Sequence, residues 1–118
     1  MGPKDLIRIW VKHFNNADAY SLAQLYAADA ISHQVGYDPI IGNDAIRTMF
    51  AGEFSRAKMV CNIENIFQDG EWVILEWTDP LGLRGCGFFQ IRNEKIIFTR
   101  GYFDQITFNK IQGLAKSS

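Results

Sequence analysis

Two aspartates stand at the ends of apolar, β-rich runs. Asp79 closes Val73-Ile74-Leu75-Glu76-Trp77-Thr78, and Asp104 closes the run from Ile96 to Phe103. A carboxylate in such a place has two uses. It can cap a turn or reach solvent, the commoner outcome for one Asp taken alone. Or it can stand in the wall of a pocket, where desolvation raises its pKa and fits it for general acid–base work. Strand alternation puts Arg100, Tyr102 and Asp104 on one face of a flat strand. Either Arg100 then lowers the Asp104 pKa, or Gly101 marks a bulge that turns Arg100 out and leaves desolvation to raise it. Tyr26, Tyr37 and Tyr102 can each donate to an oxyanion or simply pack. His13 falls on an apolar helical stripe, as a core histidine would, and His33 alternates with Ser32 and Gln34.

The elements that must position these groups are legible from hydrophobic period. Pro3 suits a first helical turn, and Leu6, Ile9, Trp10, His13 and Phe14 recur at spacings of three and four, an amphipathic helix. Asp18 can cap a short second helix carrying Leu22, Leu25 and Tyr26. Ala30 to Gln34 reads as a short strand and Val35 to Gly42 as a loop. A third helix starts at Gly42 or Asn43, with Ile46, Met49, Phe50 and Phe54 on its inner face. The period then drops to two. Strands are expected over Cys61–Phe67, Trp72–Asp79, Leu83–Arg92 and Lys95–Phe103, with turns at Asp69-Gly70 and Asn93-Glu94. Gly85 and Gly87 share a face and imply a sharp bend or a close approach to the sheet. Phe108 to Leu114 reads as a last, frayed helix, and residues 1–3 and 115–118 as disordered. The fold class is α+β: one domain over residues 1–118, with helices covering one face of a curled antiparallel sheet. A pocket is expected between them. The other face, with Trp72 and Phe88 or Phe89, is a candidate homodimer surface.

Composition narrows the function classes. The 118 residues are 47% hydrophobic and 14% aromatic, enough for a core without disulfides or metal. The formal net charge is −1 and the basic residues form no run, which argues against nucleic-acid binding. No apolar stretch approaches the roughly 20 residues of a membrane span, and the polar start is unlike a secretory signal. The expected location is the cytoplasm. Cys61 and Cys86 have no metal-ligand spacing and read as buried free thiols. No P-loop, dinucleotide fingerprint, metal motif or nucleophile elbow is present, so no cofactor and no metal is expected.

The segment Arg100-Gly101-Tyr102-Phe103-Asp104 resembles the Arg-x-Tyr-(Phe/Trp)-Asp signature of SnoaL-like domains, members of the nuclear-transport-factor-2-like superfamily. Leu25-Tyr26-Ala27-Ala28-Asp29-Ala30, Gly42-Asn43-Asp44-Ala45-Ile46-Arg47 and Phe88-Phe89-Gln90-Ile91 are similar to other segments of that family, and the resemblance runs over roughly residues 4 to 114. It implies a cone: a highly curved antiparallel sheet wrapped around three helices, enclosing an apolar pocket, with dimers across the outer sheet face.

Among members, the pattern is most similar to limonene-1,2-epoxide hydrolase and ketosteroid isomerase. The resemblance implies Asp104 as the water-activating base and Asp79 as the acid. It also implies Trp77 where an Arg would bridge them, and Ser32 and Gln34 where a Tyr and an Asn would hold the water. Without that Arg, epoxide hydrolysis loses its clamp, while isomerisation or cyclisation needs only an acid and a base in an apolar cavity. The resulting expectation is a cofactor-free enzyme. It would use Asp104 and Asp79, with Ser32, Gln34, Trp77, Arg100 and Tyr102 around a small, largely apolar molecule. The alternative is a non-catalytic small-molecule-binding or dimerisation module on the same fold.

Overall fold

The computed structural model describes residues 2–117, with side chains through residue 111. Met1 and Ser118, two of the positions expected to be disordered, lie outside the described residues.

The chain begins with α1 (Pro3–Asn15), which buries Leu6, Ile7, Trp10 and Val11. Pro3 takes the first helical position, where its missing N–H costs nothing. Helix α2 (Ala19–Gln24) starts as expected at Asp18, whose carboxylate accepts the Ser21 N–H at 3.0 Å. Strand β1 runs over Tyr26–Gln34, longer than Ala30–Gln34, because Tyr26 opens the strand rather than extending α2. A two-residue β2 (Ile40–Ile41) follows, then α3 (Asn43–Arg56), which buries Ile46 and Phe50.

The second half is β3 (Asn62–Asp69), β4 (Trp72–Thr78), β5 (Arg84–Arg92) and β6 (Lys95–Phe103), then α4 (Gln105–Ser117). Helix α4 is longer than the Phe108–Leu114 segment expected. The β5–β6 turn has both Asn93 (φ 53°) and Glu94 (φ 62°) in the left-handed region, the geometry that matches the twist of a two-residue hairpin.

The six strands lie in the order β2-β1-β6-β5-β4-β3. Pairing from β3 to β6 is antiparallel, as expected. The sheet is nonetheless mixed, because β1 runs parallel to β6. The chain leaves β1, passes through β2, α3 and three further strands, and returns beside β1 in the same direction, a pairing that local pattern does not reveal. Register shifts at Tyr26/Ile31, Ile63/Asn65 and Gln90/Ile91 bend the sheet.

Alternation divides each strand between two faces. The inner face carries the buried Ala30, Val73, Leu75, Phe89, Ile91 and Ile96 against the helices. Rings occupy the space above it. Trp10 stacks on Phe14 at 5.1 Å and meets Phe89 edge-on at 5.2 Å and Phe50 at 6.2 Å. The Asn15 side chain ties the end of α1 to β3: it donates to the Cys61 carbonyl at 3.0 Å and accepts the Cys61 N–H at 2.7 Å. Among the described residues no helix is long and apolar enough to cross a membrane.

Candidate functional site

The residues expected to share one site fall into three places. Ser32, Gln34 and Trp77 lie on the inner face. The Ser32 hydroxyl accepts from the buried Thr99 hydroxyl at 3.0 Å. Gln34 donates its amide to the Gly101 carbonyl at 3.1 Å. Trp77 packs against the edge of the core, and its cross-strand partner is Gly85. The close approach expected at the glycines is therefore made by the protein itself, by side chains and, at Gly85, also by the Tyr102 carbonyl oxygen. A Cβ at Gly85 would lie 2.8 Å from Trp77 Cε2, and one at Gly87 would lie 3.1 Å from Phe89 Cε1. Nearby, the buried Tyr26 hydroxyl accepts from Trp10 Nε1 at 3.0 Å, and burial holds its pKa far above the ordinary tyrosine value.

The two aspartates lie at the same end of the sheet, just past β4 and β6. These strands flank β5, so the residues are separated by two strand spacings, about 10 Å. Asp79 closes its own turn, accepting the N–H groups of Leu81 at 2.9 Å and Leu83 at 2.8 Å through Oδ1. Asp104 begins α4. Its Oδ1 accepts the Thr107 N–H at 3.0 Å and its Oδ2 accepts the Thr107 hydroxyl, the arrangement of a helix N-cap. The Thr107 hydroxyl and N–H favour the charged carboxylate and hold its pKa below the ordinary aspartate range. Neither expected cause operates: the carboxylate is not desolvated enough to raise its pKa, and Arg100 is not what lowers it.

Arg100 and Tyr102 lie on the outer face, with His33. The β5–β6 register is regular through Gly101, so there is no bulge there; the shift is at Gln90/Ile91. The Arg100 guanidinium sits 5.0 Å from the centre of the Phe88 ring and 5.9 Å from that of Trp72. Its Nε is buried without a hydrogen-bond partner among the described residues. Tyr102 meets Phe88 edge-on at 6.0 Å, and Trp72 meets Phe98 at 6.1 Å. Of the two phenylalanines weighed for this surface, Phe88 is on it, while Phe89 is in the core. A concavity of about 260 Å³ lies between Glu76, Arg84, Cys86, Tyr102 and Asp104, mostly on this outer face.

Both cysteines are free thiols, Cys61 buried and Cys86 half-buried. Burial pushes Cys61 up to about 12 and Cys86 up as well. Among the described residues no three His, Cys, Asp or Glu side chains converge in a metal-holding group.

One residue escaped the sequence reading. Glu53 is half-buried on α3, and burial raises its pKa. Its charge bears on the Tyr26 hydroxyl. The available signal was position: Glu53 continues the stripe Ile46, Phe50 at helical spacing, a stripe recognised by its apolar members alone.

Comparison with known proteins supplies the family. Residues 7–98 match the model of the SnoaL-like domain. A search of curated proteins gives no match. Among solved structures, an LEH-like epoxide hydrolase from M. tuberculosis is 25% identical with a TM-score of 0.81, covering 94% of this chain and 90% of its own. A hypothetical protein with a ketosteroid isomerase-like fold from Catenulispora acidiphila, solved in complex with trimethylamine, is 17% identical. Its TM-score is 0.76, covering 82% of this chain and 83% of its own. An NTF2-like protein of unknown function from Cytophaga hutchinsonii is 13% identical, with a TM-score of 0.76 and 88% and 91% coverage.

Proposed function

The chain belongs to the SnoaL-like domain family, and on that premise we propose that it works as a non-catalytic, homodimeric small-molecule-binding module rather than as an Asp-based acid–base enzyme. The observation that carries this reading is the condition of Asp104. Both of its carboxylate oxygens accept from the first turn of α4, and its pKa is held low. A general base works best with a pKa near the operating pH, and these contacts move Asp104 the other way. Asp79, the partner acid of the catalytic reading, serves its own turn, and Trp77 stands where a cation would join the two.

The dimer reading rests on the outer face. Trp72, Phe88, Phe98 and Tyr102 form an aromatic patch with a cation lying on it, the Arg100 guanidinium. Its buried Nε has no hydrogen-bond partner among the described residues, and Glu76 shares its face. Arg100 and Glu76 bring opposite charges to this one face, which suits a two-fold, self-complementary contact between copies. The reading assigns a small, largely apolar ligand to the inner face, beside Ser32, Gln34 and Trp77.

Two measurements test the reading. Sedimentation at tens of micromolar is expected to give a dimer, and Phe88→Glu a monomer; a monomeric wild type overturns the assembly. Styrene oxide, a simple epoxide, is expected to be hydrolysed no faster with the protein than without it. Hydrolysis that disappears in Asp104→Asn would restore the enzyme reading and refute this one.

A further inference from the structure

We infer that the hollow on the outer sheet face, between Glu76, Arg84, Cys86 and Tyr102, binds a slender zwitterion: an ammonium group at one end, a carboxylate at the other and a short methylene chain between them. It is a second site, apart from the inner-face ligand and independent of the assembly proposed above.

The hollow follows from the residues that strand pairing lines up. On the outer face Ile74, Phe88 and Arg100 form one row across β4, β5 and β6, and Glu76, Cys86 and Tyr102 form the next. In the first row the middle position holds a ring, with the Arg100 guanidinium 5.0 Å from its centre. In the second row it holds only a thiol. A small side chain between two longer ones leaves a trough, and Arg84 and Asp104 line its end. The space is about 260 Å³, which in liquid water is the share of about nine molecules at ~30 Å³ each. It suits a ligand of about nine non-hydrogen atoms.

The charges around the trough are opposite and do not pair with each other. Glu76 and Arg84 are diagonal neighbours on adjacent strands, about 7–8 Å apart at the backbone, and both line the hollow. The Glu76 carboxylate turns toward β3, where Oε1 accepts from the Asn65 amide at 2.7 Å, and Oε2 has no partner among the described residues. The ion pairs among the described residues are those of Arg8, Arg47 and Arg92; Arg84 joins none. Asp104 has both carboxylate oxygens taken by Thr107, so the free acid is Glu76. Two opposite charges held apart across a trough are met together by a ligand that carries the complementary pair. Its ammonium goes to Glu76 and its carboxylate to Arg84, whose planar fork suits one.

Between the charges the surface is neutral. Burial raises the Cys86 pKa, and the Glu76 charge adds to the effect, so the thiol carries no charge at neutral pH. The Tyr102 ring flanks it. A methylene chain covers this floor and removes apolar area from water.

The probe is 6-aminohexanoate, with hexanoate and hexylamine as its single-charge counterparts. Each is titrated into ¹⁵N-labelled protein at low ionic strength, where exposed charges are least screened. The Gly85 and Cys86 amide signals are expected to move saturably with 6-aminohexanoate. Each counterpart is expected to bind about tenfold more weakly or worse, for want of one charge-assisted hydrogen bond. Arg84→Gln is expected to bring 6-aminohexanoate down to the level of hexylamine, and Glu76→Gln to the level of hexanoate. Cys86→Phe gives the second row the ring that the first row has and is expected to abolish binding. No saturable movement at Gly85 and Cys86, a counterpart that binds as tightly as 6-aminohexanoate, or unchanged binding by Cys86→Phe would each overturn the site. Sedimentation and styrene oxide turnover, read on the same preparation, test the proposed function separately. A monomer or a hydrolase that binds the probe keeps this site and loses that reading, and an inactive dimer that ignores the probe loses the site alone.

Discussion

Gly85 and Gly101 face the same side of the sheet, yet alanine at the two positions has very different expected costs. At Gly85 an added Cβ meets two neighbours, the Trp77 ring and the Tyr102 carbonyl oxygen. The ring can rotate away. The carbonyl belongs to the backbone of β6, and moving it means parting β5 from β6 beside the Gly85–Phe103 pair. Overpacking costs roughly 1–3 kcal/mol, and an obstacle of backbone puts Gly85→Ala near the top, at about 3 kcal/mol. At Gly101 the three atoms nearest the Cβ all belong to the Gln34 side chain. Gln34 swings out, giving up an exposed hydrogen bond worth about 0.5 kcal/mol. Alanine recovers about 0.4–1 kcal/mol by restricting the unfolded chain. Gly101→Ala is therefore expected within about 0.5 kcal/mol of the wild type, since these two terms nearly cancel. Urea denaturation reads both, as midpoint shifts at constant slope. In a double-mutant cycle with Trp77→Ala the coupling is expected to account for only part of the Gly85→Ala loss, because the carbonyl remains. Equal costs at the two glycines, or a coupling equal to the whole loss, would refute the assignment of the obstacle to backbone.

Other expectations follow from buried polar contacts. Tyr26→Phe leaves the Trp10 N–H without its acceptor and is expected to lower stability by about 1–3 kcal/mol, the cost of an unsatisfied buried donor, measured in urea. Asn15→Ala removes both bonds to Cys61 and is expected to cost about 1–2 kcal/mol, with faster hydrogen exchange at the Cys61 amide. With its pKa pushed up to about 12, Cys61 is expected to resist iodoacetamide at pH 8 in the folded protein and to react once urea unfolds it, as mass spectrometry would show.

What was legible in the sequence follows from how local each signal is. The stripes of α1 and α3 and the turns at Asp69-Gly70 and Asn93-Glu94 depend on neighbouring residues, and the elements stand where the pattern put them. Alternation also sorted Ser32 and Gln34 from His33 onto opposite faces. Tyr26 sits four residues from Leu22, a spacing that suits α2, yet it opens β1. The parallel pairing of β1 with β6 joins residues nearly seventy positions apart, as in Gln34 with Gly101, and no local rule reports it. For the site, alternation tells which way a side chain leaves a strand but not what it meets after the strand ends. At Asp104 the missing clue lay three residues on: Asp followed by Thr107 is the spacing of a capping contact, and the same three residues turn a candidate base into the start of a helix.

Whether Asp104 is a cap or a base is answered directly by its titration. A carboxylate whose pKa is lower folded than unfolded adds stability that is present above the ordinary aspartate pKa and is lost as pH falls through the folded value. The ¹³C carboxyl resonance of Asp104, followed from pH 7 into acid in the wild type and in Thr107→Ala, reads the pKa itself. The expected result is a midpoint below the ordinary aspartate value of about 3.9, moving up toward it when Thr107 is replaced. A midpoint above the ordinary value, unmoved by Thr107→Ala, would show a desolvated acid–base group and contradict the account.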